Sequence, residues 1–280
     1  MIGIIWNGKL NEIPVHKGLL SNDIVKEASK ISGIPLERVR LTYNANGKEI
    51  SLQLQVNMEE IPVKTFYVFD SGFQIDRRVD LLLEYVTPIP IWFLMLKIIN
   101  HSESFTLKVA TIMWVAHYTK RSIESVFVHT FSNKYISLPE VAKNCSYYWI
   151  FSLLISFFII KSASAPKNRL YQLIGVIMQI TGELLNGYSH LKLRSFRKPG
   201  SKDHVYPTGF LFDHIVCPHY TFEILSWIGF ALFTQHFIAL LFPVCGGGQM
   251  FIWADDRRRR YALTNPSAMN RGRLLPHRYL

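Results

Sequence analysis

The chain has 280 residues, of which 49% are hydrophobic and only 18% are charged. An average soluble domain carries ~25% charged residues, so this composition argues against an ordinary soluble enzyme and excludes a disordered chain. The net charge is +11, yet residues 1–70 contain eight basic and eight acidic residues, so the whole excess lies after residue 70. We therefore predict a soluble head, residues 1–70, and a membrane-embedded body, residues 71–280.

The basic residues of the body lie in short clusters between apolar segments. This pattern is typical of the positive flanks of membrane spans rather than of a nucleic-acid-binding face, so we expect no nucleic-acid partner. Cys145, Cys217 and Cys245 form no CxxC or Cys/His pattern, so neither a disulfide framework nor a zinc site is indicated. The N-terminus has no apolar signal core, so the head is expected to remain cytosolic.

The head is predicted to fold in the order ββαββ, with strands at residues 2–6, 12–15, 39–43 and 66–69 and a helix at residues 22–31. Asn7-Gly8 and Asn46-Gly47 are typical hairpin turns. Ser21 is expected to cap the start of the helix and Gly33 to end it. This order, with Ser-Gly-Ile-Pro after the helix, resembles the ubiquitin-like fold. The terminal Gly-Gly of ubiquitin is absent, so the resemblance implies a docking domain rather than conjugation.

The body is predicted to be an α-helical multi-pass membrane protein with six or seven spans, because apolar stretches of about 20 residues cross a bilayer. The candidate spans are residues 81–99, 105–118, 147–160, 170–188, 222–241 and 244–253. Gly246-Gly247-Gly248 is interpreted as a break between the last two. With both termini cytosolic, Lys and Arg fall in cytosolic connectors and in the tail, apart from the connector at residues 161–169.

Several polar residues lie inside these spans, where ionisable groups are costly and are functional candidates. All fall near span ends assigned to the cytosol: Glu84, His117, Tyr118, Glu183, Asn186, Tyr220 and Glu223. They predict a polar pocket open to the cytosol, with an apolar slot behind it. Tyrosines at this depth are alternatively interfacial anchors. The basic segment at residues 192–202 could neutralise the phosphates of a nucleotide or of coenzyme A, although positive-inside bias alone would explain it. No GxGxxG or P-loop is present.

Three motifs follow one another along the body. They are His117-Tyr-Thr-Lys-Arg-Ser-Ile-Glu-Ser-Val-Phe-Val-His129, then Asn186-x3-His190-x3-Arg194-x2-Arg197-x2-Gly200, then Cys217-Pro-His-Tyr-x2-Glu223 with Trp227-x-Gly229-Phe230. Together with Glu84-Tyr85-x2-Pro88, they resemble the trans-2-enoyl-CoA reductases of very-long-chain fatty acid elongation, which belong to the steroid 5α-reductase family and also carry a ubiquitin-like head. The resemblance covers essentially the whole chain. His190 stands where the steroid enzymes have Asp, and His219 where relatives have Asn.

The resemblance implies NADPH-dependent reduction of the 2,3 double bond of a long-chain trans-2-enoyl-CoA at the endoplasmic reticulum membrane. It implies as partners an elongase, a 3-ketoacyl-CoA reductase and a 3-hydroxyacyl-CoA dehydratase. The implied catalytic residues are Tyr220, Lys120, Tyr118 and Glu84. The implied cofactor-binding residues are Asn186, His190, Arg194, Arg197, His219, Glu223, Arg257 and Tyr261. No metal is expected.

Two arrangements of the proton transfer remain open. Tyr220 would donate a proton to C2, with Lys120 or Arg121 as the cation that makes it more acidic. Alternatively, Tyr118, oriented by Glu84, would bind the thioester oxygen. Two other functions compete with this one: a steroid or polyprenol reductase on the same scaffold, and a catalytically inactive membrane scaffold that docks partners through the head.

Overall fold

The structure is a computed structural model that describes residues 1–16, 18–45, 48–52, 57–61, 63–99, 103–131, 134–197 and 206–276. The chain divides into two compact units. The first comprises Met1–Arg77 and Asn133–Ala142, and the second comprises Arg78–Ser132 and Lys143–Leu280. A segment from the middle of the chain therefore joins the head, where β6 (Gln74–Asp76) pairs antiparallel with β7 (Tyr135–Ser137).

The head contains a five-stranded sheet of strand order β2-β1-β5-β3-β4. Strands β1 and β5 run parallel and the other neighbours run antiparallel. Helix α1 packs on the sheet through a core that includes Ile24, Ala28, Leu41 and Phe66. The elements are β1 (Ile2–Trp6), β2 (Lys9–Ile13), α1 (Ser21–Ser32), β3 (Val39–Ala45), β4 (Lys48–Ser51) and β5 (Thr65–Asp70).

The local predictions for the head are confirmed at one turn and at the helix C-cap, and are wrong at the helix N-cap. Asn7 and Gly8 have positive φ between β1 and β2, and Gly33 ends α1 with φ 71°. The predicted N-cap Ser21 is wrong, since Leu20 holds that position and Ser21 is a buried residue of the first turn. Strand β4 was not predicted. The predicted turn Asn46-Gly47 lies outside the described residues.

The second unit consists of long helices, two of which begin at residues of the first unit. They are α2 (Arg77–Val86), α3 (Pro88–Ile98), α4 (Phe105–Phe127), α5 (Leu138–Lys161), α6 (Arg169–Ser195), α7 (Pro218–Thr234) and α8 (Phe237–Thr264). By length and composition, Arg77–Ile98, Leu138–Lys161 and Phe237–Thr264 could each cross a membrane. This arrangement is that of a helical membrane protein.

Three helices run beyond the apolar segments that predicted them. Helix α4 continues past residue 118 to Phe127, α6 continues past residue 188 to Ser195, and α8 continues past residue 253 to Thr264. The apolar criterion ends where charged residues begin, but none of these extensions contains a Pro that would break a helix. The basic residues assigned to connectors therefore stand on helices in several cases, among them Lys120, Arg121 and Lys192.

The predicted span 222–241 is wrong, because a helix break lies inside it. Helix α7 ends at Thr234, Gln235 takes a left-handed conformation with φ 49°, and α8 starts at Phe237. The Gln235 side chain holds this break by hydrogen bonds with the backbone N–H and C=O of Asn168. The predicted break at Gly246-Gly247-Gly248 is also wrong, since these residues lie within α8.

Helices α6 and α7 make a backbone-to-backbone contact. A Cβ atom added at Gly175 would lie 2.6 Å from the Gly229 carbonyl oxygen, and one at Gly182 would lie 2.6 Å from the Ser226 nitrogen. A Cβ on Gly229 would lie 2.5 Å from the Gln179 nitrogen. Small residues allow this approach in membrane helices. The contact brings the polar ends of α6 and α7 together.

Substituting Gly229 by Ala should destabilise the body strongly, because the new methyl group would meet backbone atoms that cannot rotate away. Overpacking typically costs about 1–3 kcal/mol and occasionally more, and contact with backbone atoms puts this site at the upper end. Thermal unfolding of the detergent-solubilised protein measures the effect. Gly248→Ala is the matched control, because nothing lies within 4 Å of a Cβ at that position. Equal melting temperatures for the two variants would contradict the close α6–α7 contact.

Candidate active site

One face of α4 carries four charged or titratable side chains. His117, Lys120, Arg121 and Glu124 are spaced so that they share a helix face. His117, Arg121 and Glu124 are buried, and Lys120 is partly exposed. Buried charges must be paired, so this face requires partners from neighbouring helices.

Helix α6 supplies the partners of Lys120 from another helix. Its ammonium donates to Asn186 Oδ1 at 2.5 Å and lies 3.0 Å from Glu183 Oε2. Glu124 Oε1 of its own helix is 3.4 Å away. The ammonium is therefore held by two carboxylates and one amide.

The guanidinium of Arg121 is bound on several sides. It donates to Glu124 Oε2 at 2.7 Å and to the Tyr85 hydroxyl at 2.9 Å, and its Nε lies 3.8 Å from Glu223 Oε2. His190 Nδ1 lies 3.0 Å from the same Glu124 oxygen. The predicted residues His190 and Glu223 thus contact the α4 face through Glu124 and Arg121.

Asn186 connects this charged face to the start of α7. Its Nδ2 donates to the His219 carbonyl oxygen at 2.9 Å and to Glu223 Oε2 at 3.0 Å. With its Oδ1 on Lys120, the side-chain amide is fully engaged. Asn186 is therefore the link between the cluster on α4 and the residues around Tyr220.

A second group of side chains surrounds Tyr220. The Arg257 guanidinium lies 5.9 Å from the centre of the Tyr220 ring, and its NH1 lies 3.4 Å from His219 Nε2. The His219 and Tyr220 rings are 4.4 Å apart. Arg257 is therefore the cation over the Tyr220 ring, while Lys120 and Arg121 make the ion pairs given above.

Arg197 and Tyr261 complete this second group, and Arg194 lies apart from it. Arg197 is within electrostatic range of Tyr261 and Arg257, and burial lowers the pKa of its guanidinium. The Tyr261 ring meets Tyr206 edge-on at 5.7 Å. Arg194 is exposed and donates to the Phe127 carbonyl at the end of α4, so in this structure it joins two helices.

Tyr118 and Glu84 occupy different surroundings. The Tyr118 ring packs against Trp114 at 4.8 Å and Trp227 at 5.7 Å. Within the described part of the chain, its buried hydroxyl makes no well-formed hydrogen bond. The buried Glu84 lies near Asp80 and Asn144, its Oε1 has no hydrogen-bond partner within the described residues, and among the described contacts none joins it to Tyr118.

Glu124, His129 and His190 place ligand-type atoms within 4.8 Å of one another. Lys120 and Arg121 already contact Glu124, so cations of the protein neutralise this group. Burial, followed by repulsion from Arg121, lowers the pKa of His129 to about 2. The same positive charges would repel a metal ion, so the cluster is explained by ion pairing.

A narrow cavity lies between α5, α7 and α8. The volume of the cavity is ≈ 20 Å³. Its lining is mainly aromatic and apolar and includes Tyr147, Tyr148, Trp227, Phe242 and Met250. Glu223 is its charged lining residue. Its lining therefore combines one carboxylate with mainly aromatic and apolar side chains.

The sequence predicted Glu183 as a pocket residue but gave Glu124 no role, although both contact the predicted residue Lys120. The signal was present in the spacing of His117, Lys120, Arg121 and Glu124. It was missed because the span was ended at residue 118.

The helical architecture and the buried polar cluster fit a membrane enzyme, and similarity to known sequences identifies its family. Residues 134–279 match the family model described as 3-oxo-5-alpha-steroid 4-dehydrogenase. The chain belongs to this family, which implies a nicotinamide cofactor.

Relatives within the family have more specific names. The chain is 35% identical to a very-long-chain enoyl-CoA reductase of Dictyostelium discoideum, over 85% of this chain and 84% of the relative. It is 32% identical to a putative enoyl reductase of Schizosaccharomyces pombe, over 86% and 85% of the two chains. A probable very-long-chain enoyl-CoA reductase of Caenorhabditis elegans is 31% identical over 75% of this chain and 74% of its own length.

Replacing Asn186 by Leu should destabilise the protein, because Lys120, Glu223 and the His219 carbonyl would each lose a buried partner. An unsatisfied buried polar group costs ~1–3 kcal/mol. Thermal unfolding in detergent measures the loss. Gln179→Met on the same helix is the control, since Gln179 makes one side-chain hydrogen bond, to the Met113 carbonyl. A smaller loss for Asn186→Leu than for this control would refute the linking role.

Proposed function

We propose that this protein is a membrane-bound, NADPH-dependent reductase of very-long-chain trans-2-enoyl-CoA, acting in the last step of the fatty acid elongation cycle. The observation that carries the proposal is the buried polar cluster of α4, α6 and α7, in a chain that shares 31–35% identity with reductases of this name. The family model is described by a steroid reaction, but the relatives that match most of the chain are named for enoyl reduction, which favours an enoyl-CoA over a steroid or polyprenol.

The residues around Tyr220 fit a phosphorylated nucleotide cofactor. Arg257 and Arg197 provide positive charge close to Tyr261. His219 faces Arg257 with Nε2, and its buried Nδ1 has no hydrogen-bond partner within the described residues. Arg257 can only donate, so His219 Nε2 must accept and carries no proton. The proton of the neutral imidazole is then on Nδ1, which is free to donate a hydrogen bond to a ligand. His219, Arg197, Arg257 and Tyr261 would hold the cofactor. Asn186, whose amide is engaged by Lys120, Glu223 and the His219 carbonyl, would position His219 beside it.

NADPH supplies the hydride that adds to C3 of the enoyl thioester. Negative charge then develops on the thioester oxygen, and a placed hydrogen-bond donor there is usually the largest catalytic contribution. The buried Tyr118 hydroxyl, which lacks a well-formed hydrogen bond in the described structure, is such a donor. Tyr220 donates the proton to C2, with the Arg257 cation nearby to stabilise the tyrosinate.

Glu84 would lie on the substrate side of the pocket, where it is buried close to Asp80 and Asn144. The narrow aromatic cavity next to Glu223 is where the first carbons of an acyl chain enter the apolar interior. The long chain continues between the helices, and the soluble coenzyme A group stays at the polar end.

The proposal includes the cellular setting. The enzyme lies in the endoplasmic reticulum membrane with both termini cytosolic, beside the elongase, the ketoacyl-CoA reductase and the hydroxyacyl-CoA dehydratase. The five-stranded head, of ubiquitin-like fold, serves as their docking domain. The cytosolic position of the polar residues fits the supply of NADPH and acyl-CoA from the cytosol.

Purified protein should oxidise NADPH when a long-chain trans-2-enoyl-CoA is added, and should leave a 3-oxo-4-ene steroid unreduced. The decrease in NADPH absorbance, with product analysis, measures both. A matched saturated acyl-CoA is the control for uncoupled oxidation. Reduction of the steroid alone would overturn the substrate assignment.

Tyr220→Phe should lower kcat by about 10²-fold or more, because it removes only the hydroxyl that donates the proton. Tyr118→Phe should lower kcat as well, through loss of the hydrogen bond to the thioester oxygen. The exposed Tyr171 provides the control substitution Tyr171→Phe. Full activity of folded, membrane-inserted Tyr220→Phe would assign the proton donor elsewhere.

A further inference from the structure

Six charged side chains of α4, α6 and α7 form a closed ring in which positive and negative groups alternate. Around the ring the order is Lys120, Glu183, His117, Glu223, Arg121, Glu124 and back to Lys120. The successive nitrogen-to-oxygen distances are 3.0, 2.5, 3.4, 3.8, 2.7 and 3.4 Å. The lysine and Glu183 form its more exposed edge, and the other members are buried.

His117 is the member of the ring whose charge is not fixed by its residue type. Its Nδ1 lies 2.5 Å from Glu183 Oε1 and its Nε2 lies 3.4 Å from Glu223 Oε1. A carboxylate only accepts hydrogen bonds, and a neutral imidazole has one N–H. A ring nitrogen without a proton would face a carboxylate oxygen lone pair to lone pair. Between two ionised carboxylates the imidazole is best accommodated with a proton on each nitrogen, that is, as an imidazolium.

The charges then balance. Lys120, Arg121 and His117 contribute three positive charges, and Glu124, Glu183 and Glu223 contribute three negative ones. A neutral histidine would leave one buried carboxylate in excess among helices of a membrane protein, which is costly. Ser226 donates a further hydrogen bond to Glu183 Oε1 at 2.5 Å, and so supports the charged form of this carboxylate.

Asn186 spans the inside of the ring. Its Oδ1 accepts from Lys120 and its Nδ2 donates to Glu223, so two members of the ring determine where the amide points. The same Nδ2 contacts the carbonyl of His219, whose side chain faces the proposed cofactor residues. Displacement of Glu183 or His117 would therefore shift the side-chain amide of Asn186.

We propose that His117 and Glu183 are positioning residues of the reductase, which close a neutral ring of alternating charge and thereby fix Lys120 and Asn186. This inference rests on the proposed function for its catalytic part. Its structural part stands without substrate or cofactor. Neither residue needs to touch the reacting atoms.

Charge compensation tests the ring. His117→Gln leaves three carboxylates and two cations, so it should lower the melting temperature markedly in detergent. Glu183→Gln alone should also lower it. The double variant with both substitutions should, however, melt at a higher temperature than His117→Gln alone, because two positive and two negative charges remain in the ring. An additive further loss would overturn the ring.

Two comparisons sharpen this experiment. Gln179→Met on the His117→Gln background should only add its own loss, because Gln179 lies outside the ring. If His117→Gln does not accumulate in membranes, the proposal still expects the doubly substituted protein to be recovered at near wild-type amounts. Failure of the double variant to accumulate would count against the ring.

Kinetics test the positioning role. His117→Gln should raise the KM for NADPH about tenfold, the size of one lost hydrogen bond, while the KM for enoyl-CoA is unchanged. The double variant should recover part of this increase. Rescue of stability with an unaltered KM for NADPH would refute the positioning role. A wild-type protein that reduces no enoyl-CoA would refute the proposed function, whereas the melting temperatures would still decide the ring.

Discussion

The requirement that charge buried among apolar helices be paired is the constraint on which the body depends. Each partner of Lys120 or Arg121 on another helix must approach to within hydrogen-bond or ion-pair distance, so α4, α6 and α7 cannot shift independently. Pairing of this kind specifies one arrangement more than it adds stability. The same arrangement orients Asn186 and, through it, the beginning of α7.

The pairing in turn needs the backbone contact between α6 and α7. Gly175, Gly182 and Gly229 allow the two helices to touch along several turns, ending close to Glu183 and Glu223. A larger separation would open the distance between Asn186 and Glu223, which is 3.0 Å. The apolar half of the bundle therefore sets the geometry of the polar half, although it contains none of the proposed catalytic groups.

Sequence patterns predicted most of the elements and the region of the site, but not its pairing. The strands and helix of the head follow from alternation and from turn residues such as Asn7-Gly8. The break at Gln235 was unpredictable, because a hydrogen bond to Asn168, distant in sequence, holds it. Glu124 was missed because an apolar criterion ends α4 too early. Partners for Lys120 could not be predicted without the separation of α4 and α6.

The ring is assembled from helices that leave the ribosome at different times. Helix α4 carries the three cations and Glu124, α6 adds Glu183, and Glu223 arrives only with α7. A nascent chain that ends after α6 therefore holds an excess of positive charge and an uncovered glycine face. Stable insertion of α4 and α6 must wait for α7, so the three helices are expected to integrate together, and truncation before α7 yields a substrate for membrane quality control.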